Sequence, residues 1–305
     1  MNTHDWSLVI FTILAQMAVG SFVVMGIVHF FVSRRHGVVE ADRMSDRALL
    51  AVGPVLVLGL AASFFHLGNP LNAINAINNV GSSWLSREIL FGVLFAGVGA
   101  VFAFMQWRKL GTPGLRNALA ILAALLGLAL VYSMAHVYRL RTVTAWDSVM
   151  TPISFFTTTF LLGTLAMGAA YVANYAYLQR HNPGCADAQC KLLRATLSWV
   201  GIGSIVLLGI EFVVVPLYLV HLASSPTGVP AGEMLFGSYS TIVIVRLMLA
   251  FVGAGLFGAM VYRNAVTVGR ERVAGLWAYA AFALVLISEI LGRFLFYASN
   301  GGFNL

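Results

Sequence analysis

Charge is what this chain has least of. Only 10% of its 305 residues are charged, against about a quarter in an ordinary water-soluble domain. With 60% hydrophobic residues and a mean hydropathy of +0.88, polar surface is too scarce to cover a soluble fold of this length. Cysteine is also scarce: Cys185 and Cys190 cannot supply the four ligands of an iron–sulfur cluster or a closed zinc site. With His181 and Asp187 nearby, these thiols leave two readings, a surface metal site or a loop pair with no role. If the chain takes part in electron transfer, the metal clusters are expected in partner subunits. A basic start is missing too. Met1-Asn2-Thr3-His4-Asp5-Trp6 holds no Lys or Arg, and the long apolar run behind it lacks a small-residue cleavage site, so no cleavable leader is expected. The formal charge of +7 does not point to nucleic acid, because in a membrane protein Lys and Arg mark the cytoplasmic loops.

What the chain does have is long apolar runs. Read against their breakers they predict eight transmembrane helices, at roughly 8–33, 48–66, 88–107, 117–138, 151–178, 196–221, 241–262 and 274–297. The expected fold is an all-α integral membrane protein, one domain over 1–305, with short loops and no separate soluble part. Aromatics near the span ends (Trp6, Trp84, Trp107, Tyr138, Trp146, Tyr177, Tyr218, Tyr262, Tyr297) fit interfacial anchoring. Thirteen Lys and Arg fall in the loops after spans 1, 3, 5 and 7. Three, Arg87, Arg139 and Arg141, fall on the other side. That split places both termini outside, which in a bacterium is the periplasmic face of the cytoplasmic (inner) membrane. His66-Leu67-Gly68-Asn69-Pro70 ends span 2, and His221-Leu222-Ala223-Ser224-Ser225-Pro226 ends span 6. The echo suits two four-helix bundles in parallel, or is a chance match.

Ionisable groups inside a membrane are costly and face a partner or a cavity, so each is a candidate for function. His66, Glu88, His136, Glu211, His221, Arg246, Glu289 and Arg293 all fall in the outer half or at the outer ends of their spans; His29 alone sits towards the inner end. A path for protons or ions across the whole bilayer needs polar groups at successive depths, so this layout favours a site open to the outside. Glu289 and Arg293 share one helix face at i,i+4, as an internal ion pair or as part of a site. Glu211 is placed to form a network with Arg246. His66 and Glu88 stand on the two arms of one hairpin, and neighbours joined by a short connection usually pack together. Gly68 and Pro70 end span 2 sharply, and Asn72, Asn75 and Asn78 at i,i+3 fit a short amphipathic turn in the interface. A histidine titrating near neutrality beside a carboxylate makes a hydrogen-bonding, proton-accepting couple. His66, His136 and His221 share a depth, but they lie so near the helix ends that no haem is expected.

These residues resemble a known family. His66-Leu67-Gly68-Asn69-Pro70, Asn75, Asn78, Val80-Gly81, Ser86 and Glu88-Ile89 are similar to the membrane anchor subunit of dimethyl sulfoxide reductase. So are Ile10-Phe11-Thr12 with Gln16, Val137-Tyr138, Thr142-Val143, Trp146, Thr151-Pro152, Phe155-Phe156, and Glu289 with Leu291-Gly292-Arg293 and Phe296-Tyr297. The resemblance implies eight helices with periplasmic termini, and a protein that itself holds no metal or haem. It implies a ferredoxin-like partner carrying [4Fe–4S] clusters and a molybdopterin catalytic subunit, both docked on the periplasmic face. It further implies menaquinol oxidation, with His66 and Glu88 as the reactive pair. Gly68, Asn72, Asn75 and Arg87, on the same connection, are expected around the quinol, with docking of the partner as the other role open to Arg87. Asn69 stands where a serine is found in the enteric pattern, Asn72 replaces a basic residue, and Arg139, Arg141 and the 179–195 loop also depart from it. These departures leave the terminal acceptor open. Two rivals remain, a polysulfide-reductase-type quinone-reactive anchor and a secondary transporter with an outward-facing pocket. For the transporter, Pro54 and Pro216 are the helix breaks on offer, and neither flanks an obvious ion site.

Overall fold

In hydrocarbon every backbone amide must be satisfied within its own segment, so long apolar runs become helices. The computed structural model describes residues 3–64, 75, 77–181, 186–224 and 229–299, and among these there is no strand. The helices are α1 (Thr3–His36), α2 (Val38–Phe64), α3 (Trp84–Trp107), α4 (Pro113–Val137), α5 (Met150–His181), α6 (Ala186–Ala223), the short α7 (Val229–Phe236), α8 (Ser240–Ala265) and α9 (Glu271–Ala298). All but α7 are long and apolar enough to cross a membrane. The eight long helices alternate in direction, so the start of α1 and the end of α9 share one face, where Trp6 stacks on Phe294. We call it the N-terminal face.

Several helix ends are written in the sequence. Ser83 accepts from the Ser86 amide ahead of α3, and Thr112 accepts from Leu115 ahead of α4, with Pro113 supplying the first helical residue. Two starts lie well before the expected spans, α2 at 38 instead of 48 and α6 at 186 instead of 196. Apolarity shows where lipid begins, not where helical hydrogen bonding begins. Residues 38–47 carry five charged side chains (Glu40, Asp42, Arg43, Asp46 and Arg47), yet all ten are competent in a helix. A single Gly37 separates α1 from α2, at φ +89°, a conformation that residues with a Cβ rarely adopt.

The extended polar end of α2 ties the far face together. Lys109 bridges Asp42 at 2.7 Å and Asp46 at 2.8 Å, and His29 meets Asp42 at 2.9 Å. Asn174 of α5 donates to the backbone carbonyls of Arg43 and Met44, both at 3.0 Å.

Two helices organise the rest. α1 packs against α2, α4, α5 and α9, and α5 packs against α1, α2, α4, α6 and α9. They cross where Gly20 meets Gly163; a Cβ on Gly163 would lie 2.6 Å from the Gly20 Cα and from the Ser21 amide nitrogen. A second close crossing joins α6 to the far half of α8. There a Cβ on Gly201 would lie 2.7 Å from the Gly258 carbonyl oxygen, beside a π-helical turn at Phe251–Phe257. The helices thus form two groups, α1–α4 and α5, α6, α8 and α9, joined along α1 and α5. One expectation of packing changes: α3 lies mainly on α4 and only lightly on α2. The α3–α4 turn is tight, whereas residues 65–83 give α2 and α3 the length to stand apart.

Candidate functional site

Glu88 sits one turn into α3 and is buried, with 7% of its surface exposed. Its helix face also buries Ser86, Gly92 and Phe95, and Phe95 meets Phe22 of α1 edge-on at 5.8 Å. This face points to the interior because α3 packs on α4 with α1 beyond it. Two phenols stand within electrostatic reach of the Glu88 carboxyl, Tyr138 at the end of α4 and Tyr297 at the end of α9. Their hydroxyls are 3.0 Å apart, and Tyr297 also donates to Thr12 of α1 at 3.4 Å. One turn along α9, Arg293 donates to Gln16 at 2.8 Å and lays its guanidinium 3.7 Å from the Phe155 ring centroid. Trp146 stacks on Phe296 at 5.5 Å and donates to its carbonyl at 2.7 Å. The result is a hydrogen-bonded polar layer, walled by aromatics, to which α1, α4, α5 and α9 contribute, with Glu88 of α3 within its electrostatic reach.

The layer continues into the second helix group. Glu289 accepts from Thr158 of α5 at 2.6 Å, and Arg246 of α8 pairs with Glu211 of α6. The Glu211–Arg246 pair agrees with the sequence expectation. Glu289 and Arg293, one turn apart, bond instead to α5 and α1, because those helices present a threonine and a glutamine on either side of α9. The three carboxyls and two guanidiniums, Glu88, Glu211, Glu289, Arg246 and Arg293, lie in the half nearer the N-terminal face.

The remaining sequence candidates separate clearly. His66, Gly68 and Asn72 lie outside the described residues. Asn75 is exposed, and a 3₁₀ turn follows at Ile77–Asn79. Arg87 donates to the Val80 and Gly81 carbonyls, both at 2.8 Å, and lies 4.2 Å over the Trp84 ring, so it closes its own loop. His136 packs at a tilt on Trp84, ring centroids 4.6 Å apart, and donates to the Tyr132 carbonyl, and His221 donates to the Thr144 carbonyl at 3.0 Å. Among the described residues, no three His, Cys, Asp or Glu side chains gather as a metal group. Cys185 lies outside the described residues.

By position in the sequence, Tyr138, Trp146 and Tyr297 read as lipid-facing anchors. In the structure they are buried, at 8%, 4% and 1% exposure, because each hydroxyl or indole N–H finds a partner inside. Thr12 and Gln16 stand out in the sequence by resemblance alone. Their physical signal is a polar pair at i,i+4 in an otherwise apolar helix.

Eight apolar helices around a polar layer near one face define a multi-pass protein of the inner membrane. The family described as DMSO reductase anchor subunit (DmsC) matches residues 1–299, and the protein belongs to that family. It is 30% identical over 299 residues to the C component of the anaerobic dimethyl sulfoxide reductase of Escherichia coli, covering 96% of this protein and 94% of the relative. The YnfH component of an anaerobic dimethyl sulfoxide reductase of the same organism is 31% identical over 296 residues, with the same coverage. A shorter likeness, 28% over 184 residues, joins it to a sulfite dehydrogenase subunit of Allochromatium vinosum, across 55% of this protein and 56% of that one. As an anchor subunit it works with catalytic and electron-transfer partners.

Proposed function

We propose that this subunit oxidises menaquinol at the N-terminal-face end of α3, with Glu88 and His66 as its proton acceptors. The observation that carries the reading is a buried carboxylate within electrostatic reach of two hydrogen-bonded phenols, at the edge of a polar layer in an otherwise apolar helix bundle. A quinol gives up two protons and two electrons. Glu88 accepts a hydrogen bond from one ring hydroxyl and then its proton; His66 serves the other. Gly68, Asn72 and Asn75 border the headgroup, and Arg87 shapes the mouth by holding the 80–81 backbone. Electrons leave to a ferredoxin-like iron–sulfur subunit, and from there to a molybdopterin catalytic subunit docked on the same face. The distribution of Lys and Arg supports a periplasmic position for that face. The same groups can return protons to a quinone, so the partner's potential sets the direction of flow. The likeness to a sulfite dehydrogenase subunit fits this reversibility.

The test is a naphthoquinol titration of the complex in its membrane, read through the partner's cluster signals. His66→Ala is expected to weaken the apparent affinity or stop cluster reduction, while dithionite still reduces the clusters. An unchanged titration removes His66 from the site. Purification in mild detergent without any molybdenum or iron–sulfur subunit overturns the whole assignment.

A further inference from the structure

The second helix group lines a cavity of about 120 Å³ whose wall does not include Glu88. Five polar atoms of residues on its wall are buried without a hydrogen-bond partner: Glu211 Oε2, Glu289 Oε1, the Tyr218 hydroxyl, Arg246 Nε and Arg293 Nε. Orphaned buried polar groups cost roughly 1–3 kcal/mol each, more when charged, so five on the side chains that wall one space leave polar demand there unmet. Two are acceptors, two are donors and the phenol is both, and the carboxylates and guanidiniums balance in formal charge. An anion would face two carboxylates and a cation two guanidiniums. A neutral group whose hydroxyl both donates and accepts satisfies both kinds. The walls between these atoms are apolar, with Val214, Leu219, Phe236 and Phe296 among them. A cavity of about 150 Å³ holds one benzene ring, so this one is of single-ring size.

The way in faces lipid. α6 and α8 are locked together in the far half, where Ser204 donates to the Ala254 carbonyl at 3.1 Å. In the near half, Ser240–Ala250 makes no comparable approach to α6, and the Glu211–Arg246 pair bridges the gap. The flanks of that gap carry exposed Phe212, Val213, Ile244, Val245 and Met248. Gly292 lets the Arg246 guanidinium lie against the α9 backbone, since a Cβ there would run into it.

We propose that this cavity is a second ligand site, which takes the hydroxyl-bearing ring of a neutral lipophilic phenol or quinol entering sideways between α6 and α8. The proposal stands whether or not Glu88 serves the first site.

A 1,4-naphthoquinol with a diazirine on a short alkyl tail, photolysed with the whole complex in its native membrane, tests it. Labelling is expected within 211–219 and 236–246, displaced by excess unlabelled naphthoquinol. Ser154→Phe, which fills the cavity from α5, should cut that labelling by about tenfold or more and leave any labelling of 84–95 unchanged. Labelling confined to 84–95, or none that a competitor displaces, means that the cavity holds water and overturns the proposal. Displacement by phosphatidylglycerol but not by naphthoquinol assigns the cavity to a lipid headgroup and overturns it equally. Displacement in the wild type decides the matter even if Ser154→Phe fails to fold.

Discussion

Glu88→Gln is expected to leave the complex assembled and to abolish reduction of the partner's clusters by quinol. Glutamine has nearly the shape of glutamate and can still accept a hydrogen bond from a ring hydroxyl, but it cannot take the proton. Losing a positioned proton acceptor typically costs 10²–10⁴ in rate. The variant also removes a carboxylate from an interior that exposes only 7% of it, so the fold is not put at risk. The measurement is the rate of cluster reduction by a naphthoquinol, with dithionite as the assembly control. Glu88→Asp should fall between the two, because the carboxylate remains but is withdrawn by one methylene. Turnover of Glu88→Gln at the wild-type rate would end the proposal that this carboxylate accepts quinol protons.

Gly163→Ala should abolish stable accumulation of the protein in the membrane. The new Cβ would sit 2.6 Å from backbone atoms of Gly20 and Ser21, and backbone cannot swing aside as a flexible side-chain end can. The α1 and α5 axes must then separate, and both helices carry contacts for most of the others. Overpacking of this kind costs about 1–3 kcal/mol or more, which exhausts much of a marginal fold. Gly26→Ala on α1 is the control, since no atom lies within 4 Å of its added Cβ, and it should accumulate normally. Comparing the two by membrane abundance and thermal unfolding in detergent separates helix propensity from packing. Equal abundance of both variants would show that the crossing is looser than its geometry states.

Both predictions depend on how far a linear pattern reaches. The eight spans are legible because apolar runs of this length have one stable solution in a bilayer, and that solution is local. The polar layer is legible for the same reason: Glu88, Glu211, Arg246, Glu289 and Arg293 are rare in such runs, and each announces a partner. Who the partner is cannot be read from spacing. Glu289 and Arg293 look like a pair at i,i+4, yet α5 and α1 offer Thr158 and Gln16 on either side of α9. Tyr138 and Tyr297 carry the signature of interfacial anchors, and burial against each other brings them within electrostatic reach of Glu88.

The hairpin of spans 2 and 3 shows the same limit. Its polar connection and its glutamate are visible in the order of residues, whereas α3 chose α4 over α2 as its main packing surface. Number, length and alternation of the helices are properties of contiguous residues, set by hydropathy and backbone satisfaction within each run. The crossing of Gly20 with Gly163, the meeting of Tyr138 with Tyr297 and the gap between α6 and α8 involve residues far apart along the polypeptide. Those arise only when whole helix faces compete for contact, so the tertiary structure alone decided which polar groups share a site.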